Sequence, residues 1–167
     1  VRRRLCWRSG ERFGVIPTPD DHRFLALALL QARDASSAGE VPVGAVIVCE
    51  ARVVAQAQNR MLRDGDATSH AELLALRDAA KELGESRLNE CTLYITLEPC
   101  AMCAGAIVLS RVKRVVFSAW DDKAGMAGSV GDILRHPRLN HRPEVLGGVD
   151  AEPSAELLRR FFAERRG

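Results

Sequence analysis

Cys100 and Cys103 stand three residues apart directly behind Pro99, and thirty residues upstream of Cys100 the chain reads Ser69-His70-Ala71-Glu72. Proline has a φ already set for the first helical turn and no amide to leave unpaired, so the segment from Pro99 onward opens a helix with both thiols on one face. The unpaired amides and positive dipole end of such a helix start favour thiolates, the species that bind metal. Thr68 or Ser69 can cap a second helix from about residue 70 to 83, whose Leu73, Leu76, Ala80 and Leu83 share one face. The fold must therefore bring two helix starts together if the imidazole and the thiols are to act as one unit.

Two thiolates and one neutral imidazole supply three zinc ligands and leave the fourth position open, the layout of a catalytic rather than a structural site. A four-ligand structural zinc recruiting Cys49 or Cys91, or a core C-x-x-C pair without metal, is the plainer reading of the cysteines alone. Glu72 gives the chemistry more to do. Two thiolates neutralise the charge of zinc, so such a site polarises water less than an all-imidazole one, and a carboxylate able to take the water's proton supplies what the metal lacks.

The remaining pattern is that of an α/β layer sandwich. A helical period runs from about 20 to 35 through Phe24, Leu25, Ala28, Leu29 and Ala32, with Asp20 or Asp21 as cap. Val43 to Cys49 is nearly all apolar, as in a strand buried on both faces, and 52–58 pairs with it as a hairpin. Residues 59–68 read as a loop. Strands at 92–97, 114–119 and 144–146 alternate with helices at 101–109 and 154–163, predicting a sheet of about five strands with helices on both faces. Phe161 and Phe162 cannot share one environment on a helix, so one of them packs inward. Glu98, beside the cysteines, is expected to support loop geometry, and the lone histidines His22, His136 and His141 are read as something other than metal ligands.

Size and charge narrow the rest. The 167 residues suit one domain over 20–167, with 1–19, which hold five Arg against one Glu, read as an Arg-rich extension standing apart. The apolar run 25–30, with Phe24 before it, is far short of a membrane span. Five cysteines, an odd number, and no signal-like apolar start fit a reducing cytoplasm better than a disulfide scaffold. The net charge of +2 hides an acidic stretch over 20–110, at −5, and a basic block over 111–142, at +4. The basic residues Arg111, Lys113, Arg114, Lys123, Arg135, Arg138 and Arg142, with Arg165 and Arg166, are expected to form one positive rim around the Glu72 pocket.

His70-Ala71-Glu72 with Pro99-Cys100-x-x-Cys103 resembles the zinc nucleoside and nucleobase deaminase superfamily. Within it, Val41 to Val46, Asn59-Arg60, 96–106, 114–117, Asp121 with Lys123, Gly128-Ser129, His136-Pro137 and Asn140-His141-Arg142 are similar to bacterial tRNA adenosine deaminases, over about 20–166. The resemblance implies a three-layer cytidine-deaminase-like fold, one Zn2+ per subunit on His70, Cys100 and Cys103, no organic cofactor, and Glu72 as proton shuttle. It implies Asn59 and Asp121 as base or ribose contacts, Lys123 near the RNA backbone, and Phe162 and Arg165 on a last helix framing the anticodon loop. The implied reaction is hydrolysis of wobble adenosine to inosine in an arginine tRNA by a homodimer, without a membrane; a free-base deaminase of guanine or cytosine type is the alternative. Trp120 departs from the family pattern, and it either stacks on a flanking base or plugs a surface groove.

Overall fold

The computed structural model describes residues 16–166; the bulk of the Arg-rich start, 1–15, lies outside the described residues. Thr18 and Pro19, at the end of that start, belong to the first helix. α1 spans Pro19–Ser37 and is capped by Thr18, whose side chain accepts the Asp21 amide while the Asp21 carboxylate accepts the Thr18 amide. The cap thus falls two or three residues before the Asp20 or Asp21 expected from sequence, because threonine with an acid three residues on closes both amides at once.

β1 (Gly44–Cys49) and β2 (Arg52–Gln58) form the hairpin, followed by a short α2 (Met61–Asp64) within the expected loop. α3 spans Ala71–Leu83, β3 Cys91–Leu97, α4 Ala101–Leu109, β4 Arg114–Ala119, β5 Glu144–Gly147 and α5 Ala151–Glu164. The sheet order is β2-β1-β3-β4-β5, with β1 antiparallel to both neighbours and β3, β4 and β5 parallel. The expected five-strand mixed sheet and α/β class are therefore present.

The side-chain period of two splits the core. Ala45, Ile47, Leu93, Ile95, Val115 and Phe117 face the layer built by α3 and α4. Val46, Val48, Tyr94 and Val116 face Phe24, Leu25 and Ala28 of α1 on the other side. Every residue of β1 is buried, as its apolar run requires. α1 lies so close to β1 that a Cβ on Gly44 would overlap the Ala28 carbonyl. On α3 the buried residues are Ala71, Glu72, Leu74, Ala75, Leu76 and Ala79; of the expected face Leu76 is among them, Leu83 packs against the core in part, and Leu73 and Ala80 are half-buried. Ala71, Ala75 and Ala79 are wholly buried, and Leu74 and Leu76 nearly so.

Cys49 and Cys91 face each other in the β1–β3 register and are joined as a disulfide, with Cα atoms 4.4 Å apart. That corrects the reading of these two as isolated thiols or spare metal ligands: pairing of strands 42 residues apart in sequence brings them together, which spacing alone does not reveal.

Asp21, fully buried, ties α1 to the sheet. Its carboxylate accepts from Arg114 Nη1 at 2.5 Å and Nη2 at 3.0 Å, from the Tyr94 hydroxyl at 3.1 Å and from the Thr18 amide at 2.8 Å. Burial opposes the charge, but the Arg114 guanidinium and the Thr18 donors outweigh it and hold the carboxyl below its ordinary value. Because the folded-state value lies below the unfolded one, this stabilisation is complete above about pH 4 and is lost as pH falls through the folded value. Asp21→Asn is expected to cost about 3 kcal/mol at pH 7, because the part-buried Arg114 guanidinium loses its buried counter-charge and keeps only the exposed Glu144. In denaturant titrations the gap to the wild type should narrow at pH 3.

Candidate metal centre and active site

Two helix starts and one strand end meet at the site. His70 is the N-cap residue of α3 and Cys100 that of α4, with Cys103 in the first turn of α4. Neither N-cap side chain caps its helix. His70 Nδ1 instead lies 3.7 Å from Cys100 Sγ and 3.5 Å from Cys103 Sγ, and the three ligand atoms all fall within 4.8 Å of one another. The cap that His70 does not provide comes from Asn59, whose Oδ1 accepts the Ala71 amide at 2.9 Å from twelve residues upstream. Buried Asn59 therefore holds the α3 start open for the imidazole.

The electrostatics suit a cation. The Cys103 thiol beside it, with the His70 imidazole, brings the Cys100 thiol down to about 4, while the Cys100 thiolate and burial push Cys103 upward. Contact with Cys100 raises His70. Burial pushes the Glu72 carboxyl up to about 7, and its Oε2 is buried without a hydrogen-bond partner. Two sulfurs and an imidazole nitrogen in one cluster are a donor set for zinc, and Glu72 Oε2 is an acceptor the fold has not used.

His70, Glu72, Cys100, Asn59 and Asp121 line one cavity of about 180 Å³, with Val41, Val43, Met61 and Leu97 as its apolar wall. Val41, Val43 and Leu97 of this wall fall in the stretches 41–46 and 96–106 that carry the resemblance, whereas Met61, on α2, has no motif to mark it. Asp121 Oδ1 also accepts the amides of Lys123 and Ala124, so the residue shapes its own turn. Lys123 is exposed and absent from the lining. Phe162 is exposed, while Phe161 is the inward member of the pair. Arg165 Nη2 donates to the Gly39 carbonyl at 2.9 Å and its guanidinium lies 3.5 Å over the Phe161 ring.

The single basic rim expected from sequence is divided by β4. Arg111, Lys113 and Arg114 sit at the start of that strand and Asp121 just past its end. Arg114 is committed to Asp21 and Glu144, and Lys113 pairs with Glu90. Lys123 follows the far end, and Arg135 is anchored there through the Ala127 carbonyl and Asp132.

Glu98 has the structural part expected of it. Almost wholly buried, it accepts the amides of Asp121, Ala127 and Ser129 at 3.0, 2.9 and 3.0 Å, and the Ser129 hydroxyl as well. One carboxylate thereby fixes the loop that carries Asp121 to the cavity.

The family model for the cytidine and deoxycytidylate deaminase zinc-binding region matches residues 18–119, and the chain belongs to that family of zinc-dependent deaminases. It is 44% identical to the tRNA-specific adenosine deaminase of Bacillus subtilis (strain 168), over 87% of this chain and 91% of that one. It is 43% identical to the tRNA(Ile)-lysidine synthase of Deinococcus radiodurans over 96% of this chain, which corresponds to 28% of that protein. A solved structure from studies of A-to-I editing by tRNA:A34 deaminases at the wobble position of transfer RNA superposes with a TM-score of 0.79 at 42% identity, covering 82% of this chain and 99% of that one.

Glu98→Gln sets an amide NH2 against donors that the carboxylate now accepts. The expected loss is about 2 kcal/mol, seen as a melting temperature lower by about 4–8 °C and as faster proteolysis within 121–129.

Proposed function

We propose that the protein hydrolyses adenosine to inosine at the wobble position of a tRNA anticodon, arginine tRNA being the substrate class. The observation that carries this reading is the cavity in which the buried Glu72 carboxylate, one oxygen of which has no hydrogen-bond partner, stands beside the His70, Cys100 and Cys103 cluster. The similarity to tRNA-specific adenosine deaminases supplies the substrate. The basic residues at the start of β4 do not, since Lys113 pairs with Glu90, and Arg114 with Asp21 and Glu144.

His70, Cys100 and Cys103 would hold one zinc ion per subunit. When bound, zinc supplies a Lewis acid that makes a water more acidic. Glu72 accepts a proton from the attacking water and delivers it to ring N1 as the oxygen bonds to C6. It then carries the proton of the new hydroxyl to the amine, the C6–N bond breaks and ammonia leaves. A carboxyl brought up to about 7 by burial suits both halves, since acceptor and donor forms are both accessible near neutrality. Asn59, just past the end of β2, and Asp121, just past the end of β4, both line the cavity and orient the base and its ribose. The cavity, about 180 Å³, is below the ~300 Å³ lower end of ordinary small-molecule pockets, so it takes a splayed-out base and leaves the rest of the nucleotide outside. Lys123, Phe162 and Arg165 lie outside it and contribute at most to the surrounding loop of the anticodon, in a homodimer of cytoplasmic enzyme.

Ammonia release from an arginine anticodon stem-loop with A at the wobble position, and none with G there or from free guanine or cytosine, is the expected outcome. Activity on guanine alone would overturn the reading. Glu72→Ala is expected to retain zinc, measured by metal analysis, and the wild-type circular dichroism spectrum, while losing turnover by at least about a hundredfold. Removing the metal with a chelator should abolish turnover and re-addition of zinc should restore it.

A further inference from the structure

Trp120 is 45% exposed, yet its ring is held. Phe117 meets it edge to face with ring centroids 4.7 Å apart. A Cβ on Gly148 would sit 3.0 Å from the indole Nε1, and one on Gly128 3.5 Å from Cζ3. Both glycines have positive φ, +83° and +135°, so backbone without side chains clamps the two ends of the ring. A plug in a surface groove would be covered; this indole is gripped at its ends and left open to solvent.

Its place relative to the cavity is fixed as well. The next residue, Asp121, lines the cavity, and the Asp121 amide is pinned by Glu98. Glu98 also holds Ala127 and Ser129, the neighbours of Gly128. The same open side of Gly128 is bordered by the Arg135 guanidinium, 3.4 Å from where a Cβ would stand. That guanidinium is itself anchored, by the Ala127 carbonyl at 2.7 Å and Asp132 at 2.8 Å. A held aromatic face, one residue from a base-sized cavity, matches the chemistry of single-stranded RNA, which offers a base face to stack.

We propose that Trp120 is the stacking platform for a base next to the target adenosine, an inference that rests on the RNA reading above. Drawing the target into the cavity removes a stacking partner from its neighbour, and the indole replaces that partner at little ordering cost because it is already immobile. Trp120 is in this sense a specificity-determining residue: bases that stack well on it are favoured beside the target.

The test pairs a variant with a substrate change. Trp120→Ala is expected to raise KM for the anticodon stem-loop about five- to hundredfold, with kcat within about threefold of wild type. Trp120→Phe should recover most of the loss, and the melting temperature of either variant should stay within about 3 °C. With an abasic ribose in place of the flanking base, tested on each side in turn, the difference between wild type and Trp120→Ala should vanish on one side. Binding is read independently by fluorescence in a Trp7→Phe, Glu72→Ala protein, where Trp120 is the one remaining indole and stacking quenches it. An equal penalty on intact and abasic loops, or inosine formation without quenching, overturns the platform. Quenching without inosine formation from the wild type leaves the platform standing and overturns the reaction.

Discussion

A histidine at a helix start has two competing uses for its position. The N-cap residue ordinarily turns its side chain back to close the exposed amides, whereas a metal ligand must turn away from them. His70 turns away, and the structure meets the resulting deficit from Asn59, at the end of the hairpin. The hairpin in turn is seated by β1, buried on both faces and packed so tightly under α1 that only glycine fits at its first position. The placement of one imidazole thus depends on the register of β1 with β2, and through β1 on the sheet. On the other side, Cys100 has the same conflict, and α4 begins directly from β3, the strand that pairs with β1. The two helix starts converge because the two strands before them are held in one sheet.

Much of this was legible in the chain. The ligand residues and Glu72 announce themselves by residue type and spacing, since few other arrangements need a proline, two thiols at i and i+3, and an imidazole with a carboxylate two residues on. β1, α4 and β4 were equally clear because apolar runs, a proline and β-branched residues agree there. What escaped was set by neighbours distant in sequence. The buried face of α3 is legible only in part: Leu76 lies on it as a count of leucines expects, but Ala71, Ala75 and Ala79, which weigh little in such a count, make up much of the rest. Cys49 and Cys91 looked solitary until the strand register set them side by side. Arg114 looked like part of a surface for RNA and is instead the partner of a buried aspartate. Charge in a sequence says nothing of whether its partner is solvent, substrate or another part of the fold.

The same limits explain the two carboxylates that look alike on paper. Glu72 and Glu98 both stand beside ligand residues, and both are almost wholly buried. Glu98 is surrounded by donors from the 121–129 loop, so its charge is spent on holding backbone. Glu72 has an oxygen with no partner at all. Burial is common to the two; what separates structural from chemical use is whether the fold has answered the charge.

The Cys49–Cys91 bond has a topological consequence. It closes a covalent ring that contains Asn59, His70 and Glu72, while Cys100 and Cys103 lie on the tail beyond it. The cluster of His70 with the two thiols is therefore a junction between ring and tail. A metal ion seated there would lace one to the other, so that with the bond intact neither half of the site could drift far from its counterpart even when the sheet between them loosens.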